Sequence, residues 1–235
     1  MGARRLLLGN PRFLVVWVVG GLTGIVRWLQ LLVLGIYTFQ ITESPLLVSL
    51  VPMMWMLPLA LCGPFVGVVA DRVSRRALLV VSLVLALAVS VVMAIASSAA
   101  ALGFAWIAVA SLLSGVFWAT DMPVRRRLLG DLSDGDLAAA MSLDSATTNA
   151  TRMAGPVLGG VVLQTFHLSG VFLLSAAVFA AFLVPTTPPP VPGAGRPAQS
   201  THFLRELISG IRFVVGDARL RWVFGITIVF NIFGF

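Results

Sequence analysis

Arg27 and Arg152 are the only basic residues set deep inside long apolar stretches of this 235-residue chain. A guanidinium carries five N–H donors in a planar fork, accepts nothing and stays charged. In a hydrocarbon-like setting it costs at least about 2.5–3.5 kcal/mol on insertion scales, so it normally faces a cavity or a partner. The chemistry open to such a pair is recognition of an anionic or oxygen-rich molecule. Two blander uses compete with it: bonding to backbone carbonyls, or snorkelling outward for structural reasons. Gln30, Asn149, Thr148 and Thr151 are polar residues suited to the wall of the same cavity. No carboxylate shares that depth. Asp144 lies about two turns into its apolar run and Asp121 at the end of another. Either could carry a proton during a working cycle, or be simply solvated or capped. Trp28 and Trp118 could stack on an aromatic ligand, although a lipid- or interface-facing place is the commoner use of Trp.

The elements that hold these residues are six apolar runs, near 13–38, 46–70, 77–96, 101–122, 137–165 and 169–184, with a seventh beginning near Trp222. Helices of about 20 apolar residues cross a ~30 Å hydrocarbon core. Arg4, Arg5 and Arg12 precede the first run, Arg72, Arg75 and Arg76 follow the second, and Arg125, Arg126 and Arg127 follow the fourth. Arg196, Arg205, Arg212, Arg219 and Arg221 follow the sixth, whereas the loops after runs one, three and five hold no arginine or lysine. The positive-inside rule then places the N-terminus and every even-numbered loop in the cytoplasm. Arg27 and Arg152 each fall about fourteen residues from the cytoplasmic end of helices running the same way, roughly 21 Å deep. Their side chains are predicted at similar depth.

Composition excludes most other classes. Apolar residues make up 59% of the chain and charged ones 11%, with a mean hydropathy of +1.01. A water-soluble domain could not hide that much apolar surface, so lipid must be the solvent for most of it. The net charge of +7 would suggest nucleic acid in a soluble protein, but membrane topology accounts for it, and no nucleic-acid partner is expected. Cys62 is the only cysteine, which excludes an internal disulfide and a thiolate metal cluster. No Walker loop, His-Glu-x-x-His, Gly-x-Ser-x-Gly or Cys-x-x-Cys occurs, so nothing points to an enzyme, a metal or a cofactor.

Along the chain, Thr42-Glu43-Ser44-Pro45 forms a short external turn. The turn from Asp71 to Arg76 is so short that the second and third helices are expected to be antiparallel neighbours. Pro123 is expected to end the fourth helix near Met122, because it has no N–H to continue the ladder. A polar loop from Val124 to Asp136 then leads to Asp131, Ser133, Asp134 and Asp136, residues that start a helix well. Three units follow: residues 1–184 as a six-helix bundle, 185–218 as a cytoplasmic linker with an amphipathic helix, and 219–235 as an incomplete seventh helix. The linker opens on a Pro-, Gly- and Thr-rich stretch including Pro188-Pro189-Pro190. Its helix carries Phe203, Leu207, Ile211 and Val214 on one face. Some 14 apolar residues after Trp222 reach only about 21 Å, so the chain is expected to be cut within a spanning helix.

Gly67-Val68-Val69-Ala70-Asp71-Arg72-Val73-Ser74-Arg75-Arg76 resembles the Gly-x-x-x-Asp-Arg-x-x-Arg-Arg signature of the major facilitator superfamily, between its second and third helices. Gly67 lets another helix approach closely, and Asp71, Arg72, Arg75 and Arg76 sit where they can pair or cap helix ends. Arg152-Met153-Ala154-Gly155-Pro156-Val157-Leu158-Gly159-Gly160 looks like the Gly-Pro-x-x-Gly-Gly motif that the superfamily's exporters carry on helix 5. Gly155 and Gly159 form a small-residue face, Pro156 can bend the helix, and Gly160 completes the motif. The segment Phe203–Phe213 followed by Leu220-Arg221, and Pro123-Val124-Arg125 with Asp131-Leu132, are similar to the siderophore- and macrolide-exporter branch. Classical drug:proton antiporters carry an Arg four residues before a Gly on helix 4. Here Ser111 stands before Gly115, which favours the siderophore/macrolide-like branch.

The resemblance implies an all-α membrane protein, the six-helix N-terminal bundle of the family's twelve-helix fold, lacking its C-terminal half. It implies a multi-pass transporter in the bacterial inner membrane that exports small organic molecules, drug- or siderophore-like and anionic by the arginine argument, by proton-coupled alternating access. Its partners are then membrane lipid, the small-molecule substrate, protons and the missing half. The competing reading is a half-transporter that does not transport, a scaffold or gene relic.

Overall fold

The computed structural model describes residue 7 and residues 9–72, 75–99, 102–133 and 135–183, with Gly216 and Trp222 beyond them; side chains at 60, 62–72 and 75–76 lie outside this set. Five helices follow in order: α1 (Pro11–Thr42), α2 (Pro45–Arg72), α3 (Arg75–Ser98), α4 (Phe104–Asp131) and α5 (Leu137–Leu183). The chain divides into two compact units, Met1–Gly195 and Arg196–Phe235. These five helices lie in the first. The expected linker and seventh helix lie outside the described residues, apart from Gly216 and Trp222.

Among the described residues, four stretches are long and apolar enough to cross a membrane: Pro11–Thr42, Ala77–Ser98, Phe104–Asp131 and Leu137–Leu183. The last has 47 residues, but His167 has φ 56° and ψ −173°, which no helix tolerates. It is two helices meeting without a loop, residues 137–166 and 168–183, and the expected fifth and sixth spans correspond to these two arms.

Local chemistry sets the boundaries. Asn10 caps α1 by accepting from the N–H groups of Arg12 (3.1 Å) and Phe13 (3.4 Å), with Pro11 as the first helical residue. At the other end Glu43 takes a left-handed conformation and its N–H donates to Phe39 O, closing the helix. Asp136 starts α5 by accepting from Ala139 N at 3.0 Å, as the acidic cluster predicts.

Two expectations give way. Pro123 does not end α4, which runs on through Arg125, Arg126 and Arg127 to Asp131. A proline removes one N–H from the ladder, and neighbouring contacts in a bundle can hold the rest of a helix. The polar loop thus shrinks to the few residues around Ser133. The short turn after α2 likewise fails to make α2 and α3 packing partners. Among the described residues α2 packs chiefly on α4, while α3 packs on α5 and α4. A short turn fixes where two helix ends meet, and the flanks are free to choose other neighbours.

Among the described residues the most extensive contact in the bundle is between α1 and α5. It is built on small residues: a methyl at Gly155 would lie 2.6 Å from Trp28 Cβ and 2.9 Å from Ile25 O, and one at Gly159 would lie 3.2 Å from Leu29 O. Gly24 faces Thr151 just as closely. Without side chains at these positions the two backbones come together, the usual way membrane helices gain contact area. Leu29, Val33, Met93, Ile107 and Phe172 fill the core beside this seam, joining α1, α3, α4 and the second arm of α5.

Candidate functional site

Trp28 sits on α1 where Gly155 presses against it. Two guanidinium groups come to its ring: Arg27 Cζ lies 5.3 Å from the ring centroid and Arg152 Cζ 5.2 Å. Arg27 also lies 4.7 Å from the ring centre of Trp118 on α4. The aromatic faces offer partial negative charge, worth about 2 kcal/mol or more per desolvated pair. The two deep arginines expected at similar depth are therefore neighbours on one indole. The same contact explains the two tryptophans, which the sequence left as lipid- or interface-facing candidates.

The arrangement is rich in donors. Among the described residues, Arg27 Nε, Trp28 Nε1 and Trp118 Nε1 are buried and have no hydrogen-bond acceptor. Unmet buried donors are costly, about 1–3 kcal/mol each, and in a native site they call for an explanation. Arg152, in contrast, is exposed. Gln30 donates to Ser90 Oγ at 3.3 Å, tying α1 to α3. It also lines, with Arg27, Trp55 and Ser114, an interior crevice of about 10 Å³, the room one water needs. Asn149 is exposed on α5, and no described contact brings it to the cluster. Thr151 packs on Gly24, and Thr148 O accepts its hydroxyl.

A second charged group lies toward the end of the bundle where α1 begins and α4 ends. Asp144 on α5 accepts from Arg125 Nη1 with one oxygen and from Arg126 Nε, at 3.0 Å, with the other. Asp121, one turn before Arg125 on α4, accepts from Arg125 Nε at 3.5 Å. The side chains of Asp144, Asp121 and Arg125 are each under a tenth exposed, whereas Arg126 is 40% exposed. Arg125 reaches α1 as well, because a methyl at Gly20 would lie 2.7 Å from its Cδ. One arginine thus joins three helices.

Asp121 and Asp144, singled out separately in the sequence, share this partner. The sequence reading missed Arg125 and Arg126 because it placed them in a loop. Their spacing from Asp121, at i+4 and i+5 past a proline, was the available signal. Gly155 and Gly159 form the α1 contact, Gly160 has nothing within 4 Å, and Pro156 sits in a helix that stays helical through it. The side chains of the Gly67–Arg76 signature lie outside the described residues.

Long apolar helices, close glycine seams and buried charges satisfied by one another define a multi-pass α-helical membrane protein. The Major Facilitator Superfamily model matches residues 16–235, and the chain belongs to that superfamily of membrane transporters. It is similar to the uncharacterized MFS-type transporter YfiS of Bacillus subtilis, 28% identical over 194 residues, covering 80% of this chain and 45% of that protein. It is also similar to the staphyloferrin A transporter of Staphylococcus aureus, 25% identical over 155 residues, covering 65% of this chain and 39% of that protein. The chain therefore spans less than half the length of these curated relatives.

Proposed function

We propose that this chain contributes to a secondary transporter that moves a small, oxygen-rich organic anion outward across the bacterial inner membrane by alternating access, with its N-terminus in the cytoplasm. The observation that carries the reading is the meeting of Arg27 and Arg152 on Trp28, beside three buried donors without acceptors among the described residues. A site rich in donors disfavours cations and leaves a neutral hydrocarbon unrewarded, whereas a carboxylate supplies acceptors for Arg27 Nε and the two indole N–H groups. A relative whose named cargo is staphyloferrin A supports a small-molecule cargo, and within that class a drug- or siderophore-like compound. Direction has a physical argument too. An anion leaving the cell runs with an inside-negative potential, about 2.3 kcal/mol per charge per 100 mV. Protons are the proposed coupling ion, with Asp121 and Asp144 as the candidate carriers.

The test is efflux of labelled organic anions from cells expressing the gene that encodes this chain, against the Arg27→Gln and Arg152→Gln variants. Losing a charged hydrogen bond costs about 1.5–3 kcal/mol, so each variant should lose roughly 10- to 100-fold in apparent affinity. Unchanged efflux in both, with normal membrane levels, refutes the site.

A further inference from the structure

The two carboxylates near the site are not equivalent. Asp144 spends both oxygens on arginines, one on Arg125 and one on Arg126. Among the described residues Asp121 has a single long contact, 3.5 Å to Arg125, whose shorter bond goes to Asp144. Asp121 also lies three residues beyond Trp118 on α4, hence on the same helix face and one turn from the ring that seats Arg27.

We infer that Asp121 is the internal counter-ion of the substrate site: a carboxylate that, while ionised, competes with the substrate anion for the charge of Arg27 and so sets affinity low enough for release. This rests on the proposed reading of the Arg27–Trp28 cluster as an anion site. Asp121 is a positioning and specificity residue. It need not touch the cargo, because its negative charge acts on the cargo's charge directly and on Arg27 in the opposite sense. Asp144 cannot take this part, since two guanidinium groups already neutralise its field. The arrangement also explains how a buried arginine whose Nε meets no acceptor among the described residues is held in place. Two aromatic faces and a nearby carboxylate hold its charge without filling its hydrogen-bonding edge.

A single charge within about 10 Å at an effective dielectric near 20 changes an anion's affinity by on the order of tenfold. The experiment is binding of salicylate, an aromatic carboxylate, to the purified gene product in detergent at neutral pH. Tryptophan fluorescence is the readout, and the neutral isostere salicylamide the control. Asp121→Asn should bind salicylate about tenfold more tightly, Asp121→Glu should return affinity toward the native value, and salicylamide should respond to neither. Asp121→Ser provides a second neutral variant where the Asn protein does not purify. Salicylate binding that is lost in Arg27→Gln but unaltered or weakened in both neutral variants overturns the role of Asp121 and leaves the anion site standing. No binding by the native protein up to about 10 mM, a weak-affinity ceiling, or binding indifferent to Arg27→Gln, removes the anion site and this inference with it.

Discussion

Replacing Asp144 by Ala should destabilise the bundle more than any other single change to its polar residues. The carboxylate is 2% exposed and holds two guanidinium groups from α4. Truncation leaves Arg125, itself 9% exposed, with only the 3.5 Å contact to Asp121. Removing one partner of a buried pair costs about 3–5 kcal/mol, because the remaining charge stays desolvated. Arg126 is 40% exposed and can turn to water, so the loss belongs at the lower end, about 3 kcal/mol. At roughly 2–4 °C per kcal/mol for a domain of this size, the thermal midpoint should fall by about 6–12 °C.

The assay is thermal unfolding in detergent micelles, followed by intrinsic fluorescence, for Asp144→Ala, Arg125→Leu and the double variant. The double variant removes both members of the pair and strands Asp121 no more than Arg125→Leu alone does, so it should be less damaged than the two single losses added together. Strict additivity, or a midpoint within about 2 °C of the native protein for Asp144→Ala, would show that the ion pair holds nothing together and sink the reasoning.

Three further outcomes are expected. Thr147→Val removes the acceptor for Trp17 Nε1, a 2.8 Å bond between α5 and α1, and should cost only about 0.6 kcal/mol, the average for such bonds in membrane helices; a fall in midpoint as large as that of Asp144→Ala would refute the ranking. Gly155→Ala drives a methyl into Ile25 O and Trp28 Cβ, whereas Gly160→Ala meets nothing; the first should lower both stability and anion binding by disturbing Trp28, the second neither, as thermal unfolding and fluorescence titration can read. His167 holds a positive φ that glycine adopts freely, so His167→Gly should leave the midpoint unchanged or raised and His167→Val should lower it.

Much of the architecture could be read from the chain because lipid imposes a simple rule on it. Backbone groups must be satisfied within each span, so long apolar runs become helices wherever they occur. The failures came where tertiary contacts outrank local preference. Pro123 breaks helices in water, yet α4 continues past it and carries Arg125 and Arg126 toward a carboxylate 19 and 18 residues further along the chain. Arg27 and Arg152 were legible as oddities by depth alone. That they converge on Trp28 was not, because it depends on how α1 and α5 are rotated about their axes, and helices apolar on nearly every face record little of that rotation. The glycines hold part of the missing information. Gly155 and Gly159 mark the flank of α5 that meets α1, but only the structure says which residues of α1 lie opposite.

The seam between α1 and α5 therefore does more than hold two helices together. Gly155 and Gly159 bring the backbone of α5 against Trp28 and Leu29, and Arg152, three residues before Gly155, is thereby carried to the indole face. At the other end of the same seam Gly20 leaves the space that Arg125 occupies on its way to Asp144. The spacing of α1 from its neighbours is thus shared by the donor cluster and the ion-pair cluster. A shift of α1 along α5 by even a fraction of a turn would move Trp28 relative to Arg152 and Gly20 relative to Arg125 together. The donor cluster at one end and the ion pairs at the other are then mechanically linked through one helix, the kind of two-position element that the proposed alternating access would use.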